Sequence, residues 1–112
     1  MLKTQPVAAI KAAPQPITFI RKTARNRGNS RIWIEGKKLT VNGLGHGRRF
    51  DCEVRSDRVI LTFCQDGERK VAGNPERPII DINTGRLNNV LNQSHYLASI
   101  DGDTMTITPC TK

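Results

Sequence analysis

Aromatic residues are scarce in this 112-residue chain: one Trp, one Tyr and three Phe, or 4% of the total. A core must therefore come mainly from aliphatic side chains, and a hydrophobic content of 37% keeps it small. Long apolar runs are also missing, and none approaches the ~20 residues that a membrane-spanning helix needs. The N-terminal stretch is broken by Pro6, Lys11, Pro14 and Pro16, so it lacks the continuous apolar segment of a secretory signal. Cysteine is limited to Cys52, Cys64 and Cys110, an odd number at wide spacing. That pattern fits neither a disulfide framework nor a zinc site, and it predicts reduced thiols in a cytoplasm. No metal and no cofactor are expected.

Acidic residues are absent from residues 1–30, which carry Lys3, Lys11, Arg21, Lys22, Arg25 and Arg27. This first quarter holds +6 of the net charge of +8, while residues 31–112 hold 12 basic and 10 acidic residues. Residues 1–30 thus read as a basic, partly disordered arm, in which the ITFI run at 17–20 can form a short edge strand. An arm of this charge suits a polyanion, because each phosphate contacted by Lys or Arg releases condensed counterions. Nucleic acid is the expected partner, and a membrane is not.

The remaining chain contains an internal duplication. Residues 31–64 form a first copy and 78–110 a second, with 65–77 a polar, turn-rich linker between them that holds a short strand at most. An offset of 46 aligns Phe50 with Tyr96, Val54 with Ile100, Val59 with Met105, Leu61 with Ile107 and Cys64 with Cys110. An offset of 48 aligns Ile34 with Ile82 and Leu39 with Leu87. Each copy reads as an alternating strand, a short helix and a hairpin. The second hairpin turns at Asp101-Gly102 and puts Tyr96, Ala98, Ile100, Met105 and Ile107 on one buried face. Neither unit can bury its apolar face alone. The expected fold is mostly β: a small barrel made of two tandem strand–helix–hairpin copies over 31–112.

The first copy resembles the swapped-hairpin barrel unit of the AbrB/MazE/SpoVT superfamily, and within it the SymE-like proteins. The likeness lies in RIWIEGKKL, Gly43-Leu44, Gly47, FDCEV and RVILT, covering residues 31–64 well and 78–109 more loosely. It implies interleaved hairpins and DNA binding by basic residues of one face, with Arg31 at the position of the arginine that precedes the first repeat strand. Lys37 and Lys38 are the nearest matches to the basic residues of the short helix. The proline and Arg-Arg pair of many such helices are missing, and Asp81 stands in the second copy where the first has Trp33.

Charge arithmetic favours the first copy as the phosphate-facing one, at +3 for residues 31–63 against −1 for 78–112. The expected nucleic-acid-binding residues are Arg21, Lys22, Arg25, Arg27, Arg31, Lys37, Lys38, Arg48 and Arg49. Trp33, alternating with Ile32 and Ile34, is a candidate to stack on a base. No catalytic residues are assigned: His46 and His95 lack a nucleophile at a diagnostic spacing, and GLGHG lacks the ending of a phosphate loop. Asp51 and Glu53 alternate along one exposed strand face rather than forming a metal cage. The sequence thus points to a cytoplasmic nucleic-acid-binding protein, a DNA-binding regulator or antitoxin-like element of a bacterium, plasmid or phage, acting on double-stranded DNA as a monomer or homodimer. The alternatives are a phage or plasmid interaction module that inhibits a host or cognate protein, and a SymE-like toxin acting on RNA or DNA.

Overall fold

The computed structural model describes residues 16–111, and in them the chain forms ten strands and two helical turns. The strands are β1 (Ile17–Lys22), β2 (Ala24–Asn26), β3 (Asn29–Glu35), β4 (Arg49–Val54) and β5 (Val59–Phe63) in the first half. The second half holds β6 (Arg69–Lys70), β7 (Ala72–Asn74), β8 (Arg77–Asn83), β9 (His95–Asp101) and β10 (Thr104–Cys110). A short helix, α1 (Lys37–Val41), follows β3, and a 3-10 turn (Gly85–Asn89) follows β8. All pairings are antiparallel. One sheet has the order β1-β9-β10-β5-β4-β6 and the other β2-β3-β8-β7.

The duplicated layout is present, and strand register shows how the halves meet. Ile32 lies opposite Ile82 and Ile34 opposite Ile80, so Trp33 lies opposite its own counterpart Asp81. Leu61 lies opposite Met105 and Val59 opposite Ile107, which leaves Ile60 opposite its counterpart Thr106. A pseudo-two-fold axis therefore runs between Trp33 and Asp81 in one sheet and between Ile60 and Thr106 in the other. The hairpins obey the same relation: Cys52 pairs with Leu61 as Ala98 pairs with Ile107.

Three expectations need correction. The two sheets do not close into a barrel. Their outer edges are taken instead by β1 and β6 in one sheet and by β2 and β7 in the other, with β6 covering only Arg49 and Phe50 of β4. Residues 17–30 are not a loose arm, because β1 pairs with β9 over six residues and β2 pairs with β3. The ITFI segment is the expected edge strand, longer than anticipated. Residues 65–77 are likewise more than a linker, since β6 and β7 lie within them and pair with β4 and β8. Lys3 and Lys11 of the expected arm lie outside the described residues.

These corrections lengthen the repeat. The segment β1–Thr23–β2–β3 corresponds to β6–Val71–β7–β8 at the offset of 48. At each corner the chain passes from one sheet to the other through a single buried residue. The Thr23 amide donates to the Ser94 carbonyl at 2.9 Å, and the Val71 amide to the Arg48 carbonyl at 2.8 Å. Ser94 and Arg48 are themselves counterparts at the offset of 46.

One continuous core fills the space between the sheets. Ile32, Ile34, Ile80 and Ile82 come from the four-stranded sheet, facing Phe50, Leu61, Tyr96, Ala98, Met105 and Ile107 of the six-stranded one. The hairpin face read from alternation is buried throughout. Leu39 and Leu87 from the helical turns, with Leu44 and Leu91 from the loops after them, complete it. Phe50 and Phe63 meet with ring centroids 5.1 Å apart at a tilt of 37°, an arrangement worth about 1 kcal/mol beyond burial.

Candidate nucleic-acid interface

The expected binding residues do not form one patch, and several are held by neighbours. Arg31 is on the outward face of β3 and makes a two-pronged ion pair with Asp81, with Nε and one terminal nitrogen each 2.8 Å from a carboxylate oxygen. That hydrogen bond raises the guanidinium pKa above its ordinary value. The same guanidinium covers one face of Trp33, with its carbon 4.7 Å from the ring centroid. Trp33 does point outward, as the alternation implied, but a base could reach only its other face. Beside it, Arg77 donates to Glu35 at 2.6 Å, and this contact, with a smaller one from the Trp33 indole, holds the Glu35 carboxyl below its usual range. The outward face of the four-stranded sheet is thus a row of matched charges rather than a basic surface.

Arg48 and Arg49 serve the fold. Arg48 donates to the Gly43 carbonyl at 2.7 Å, reaches Asp103 at 3.4 Å and lies over the Phe63 ring. Arg49 donates to the Gly67 carbonyl at 2.8 Å and so pins the crossover between β5 and β6. Arg25 donates to the Ser30 hydroxyl at 2.9 Å. Arg27 occupies the β2–β3 turn with a positive φ of 55°, exposed to solvent. Lys22 and Lys37 are exposed as well.

Arg21 and Lys38 do come together, although 17 residues separate them. The Arg21 guanidinium lies 4.5 Å from the Phe19 ring centroid and the Lys38 ammonium 5.5 Å from it. Phe19 is in the core at 8% exposure, so its rim anchors both cations where β1 passes α1. The second half repeats the two basic positions without the aromatic ring. Position 21 corresponds to Arg69 and position 38 to Arg86. Arg69 and Arg86 both act on the half-buried Cys52 thiol, drawing its pKa down against the larger upward effect of burial. Cys52 is the counterpart of Ala98, the residue paired with Phe19. Each half therefore carries basic residues at the same two positions, one on an outer strand and one in a helical turn.

The second pair escaped sequence reasoning because residues 65–77 looked like a linker. A signal was present: Ala24-Arg25-Asn26 and Ala72-Gly73-Asn74 share two identities at the offset of 48. Extending the repeat upstream from Ile34 and Ile82 would have reached it.

Among the described residues, no group of three or more His, Cys, Asp or Glu side chains is arranged to hold a metal ion. Cys52, Cys64 and Cys110 are all free thiols. His46 is an exposed loop residue, while His95 lies 2.7 Å from the Ser94 hydroxyl through Nδ1, a contact between sequence neighbours. No helix among the described residues is long and apolar enough to cross a membrane. Comparison of the chain with known protein families, curated proteins and solved structures found no match.

Proposed function

We propose that this chain binds nucleic acid, with double-stranded DNA as its ligand, and acts in the cytoplasm as a DNA-binding regulator or antitoxin-like element. The observation that carries the reading is the recurrence of the basic pair. Arg21 with Lys38, and Arg69 with Arg86, stand at equivalent places in two halves that share few other identities. Packing alone does not require that recurrence, because Phe19 and Cys52, the apolar neighbours of the two pairs, differ between the halves. Two cationic points related by a dyad suit a ligand whose phosphate strands are themselves related by local dyads. The resemblance of residues 31–64 to the AbrB/SymE-like unit supports the same class of ligand. It does so without Arg31, which is neutralised by Asp81.

Phosphate contacts would supply affinity, while base readout from the half-covered Trp33 would be slight. The test is a titration of duplex DNA, single-stranded DNA and RNA at two salt concentrations. Duplex DNA should bind tightest, with affinity falling steeply as salt rises. Replacing Arg21 and Lys38 with Ala, or Arg69 and Arg86 with Ala, should each lower the salt slope by about two. Absence of binding to any nucleic acid at low salt would overturn the reading.

A further inference from the structure

The two halves differ at one edge of the six-stranded sheet. In the second half, β9 is covered along its outer edge by β1, with Ile17 opposite Ile100, Thr18 opposite Ser99, Phe19 opposite Ala98 and Ile20 opposite Leu97. In the first half, β4 is the counterpart of β9, but β6 covers only Arg49 and Phe50. The chain before β6 does not run along β4. It crosses over that strand through Gln65–Glu68, and the Glu68 amide is satisfied by the Asp51 carboxylate at 2.9 Å. Residues 51–54 consequently have no strand on their outer side among the described residues.

Side-chain burial registers the same gap. Ala98 and Ile100 are 0% and 4% exposed beneath Phe19 and Ile17, whereas their counterparts Cys52 and Val54 are only partly buried. A strand placed on β4 as β1 lies on β9 would cover them, one apolar residue over Val54 and another over Cys52. Its alternate side chains would lie beside Glu53, which also accepts from Arg55 at 2.7 Å, and Asp51, both exposed on the opposite face. Arg69 already occupies the next position, opposite Phe50, so the vacancy is about four residues long. A second copy meeting this edge through its own β4 would set Asp51 and Glu53 against the same carboxylates, like charges directly opposite one another.

We propose that the outer edge of β4 at residues 51–54 is a docking site for an extended segment of a partner protein, four residues long, that alternates apolar and basic side chains. Main-chain pairing with the open edge supplies affinity, and the Cys52–Val54 surface with the flanking carboxylates supplies selectivity. This surface is separate from the basic pairs and does not rest on nucleic-acid binding.

The test uses the full chain, isotopically labelled, and an end-blocked peptide copying residues 16–20 with Thr18→Lys and Ile20→Lys. Amide resonances of Asp51–Val54 should shift on titration, with those of β9 little changed. A companion peptide with Glu at the same two positions should bind at least about fivefold more weakly. The Glu53→Lys variant, altered at an exposed side chain with Asp51 unchanged, should abolish that preference while keeping its other resonances in place. Equal binding of the two peptides by the unaltered chain, or no shift at β4, would overturn the proposal. Shifts that arise only after removal of residues 1–15 would overturn it in favour of the chain's own N-terminal segment. A dimer in light scattering with Asp51–Val54 amides protected from exchange would overturn it in favour of a second copy.

Discussion

Thr23 and Val71 occupy the same corner of the fold, 48 residues apart, each carrying the chain from the six-stranded sheet into the four-stranded one. Both are buried, but the Thr23 hydroxyl has no hydrogen-bond partner, while Val71 presents only methyl groups to an equivalent site. A buried hydroxyl without a partner costs its desolvation, and the second half has avoided that cost. Thr23→Val replaces the hydroxyl with a methyl of like volume. It should raise unfolding free energy by about 1 kcal/mol, read from the midpoint of a denaturant transition. A loss of stability would show that the two corners are not equivalent in packing.

The crossover between β5 and β6 depends on a glycine. A Cβ at Gly67 would stand 2.5–2.7 Å from the backbone nitrogen, carbonyl carbon and Cα of Phe50, and backbone cannot swing aside as a side-chain tip can. Gly67→Ala should therefore cost roughly 2 kcal/mol or more in a denaturant melt. Gly85, at the start of the 3-10 turn, has nothing within 4 Å of the same virtual atom. Gly85→Ala should leave stability within about 0.5 kcal/mol and serves as the control.

Truncation separates charge from architecture. Removing residues 1–15 takes away Lys3 and Lys11 but no described strand, so cooperative unfolding should persist with a similar midpoint. Removing residues 1–27 also takes away β1, β2 and the core residue Phe19. It uncovers the outer edge of β9 and should abolish cooperative folding, as circular dichroism melts would report. A 1–27 deletion that still melts cooperatively would return those residues to the status of an arm.

Tyr96 is the chain's single tyrosine, so its titration can be followed without interference. Burial pushes its phenol up to about 12, offset only in part by contact with the Trp33 backbone and by the positive charge of Arg21 nearby. The unfolded phenol ionises near its ordinary value of 10. Between those values the folded state binds the proton that the unfolded state releases, so the stabilisation is whole below pH 10 and is lost toward pH 12. The loss should be on the order of 2–3 kcal/mol for a shift of this size. The tyrosinate absorbance of the folded protein should rise late, and together with unfolding. A midpoint near 10 in the folded protein would contradict the burial of the ring.

Arg31 gives a contrast within the candidate interface. Its guanidinium is committed to Asp81 and to the Trp33 ring, so Arg31→Ala should change affinity for DNA less than loss of Arg21 and Lys38. Anisotropy titrations of the variants at one low salt concentration would rank them. If Arg31→Ala were the more damaging, the ion pair would have to open on binding.

The elements of each half were legible because the evidence for them is local. Alternation at Ile32 and Ile34, and at Ile80 and Ile82, marks strands, and Asp101-Gly102 marks a turn whatever surrounds it. The corners and short outer strands were not legible. A two-residue strand such as Arg69-Lys70 has no period of its own and exists only because β4 offers it an edge. Of residues 17–30 only the ITFI strand was legible, for a related reason: charge composition is averaged over a window, while Phe19 acts as a single residue in the core.

The sequence by itself determined a mostly-β, duplicated chain with an excess of positive charge, since period, turn chemistry and composition are written residue by residue. Tertiary structure decided which charges remain available. Arg31 is matched by Asp81, which lies 50 residues away and faces it across the pseudo-dyad, whereas Arg21 and Lys38 meet on Phe19 and are repeated by Arg69 and Arg86. It also decided that the sheets stay open rather than close, with short strands from residues 17–26 and 69–74 at their edges. Both outcomes depend on long-range pairing, where the energy of a side chain is set by what the fold places opposite it.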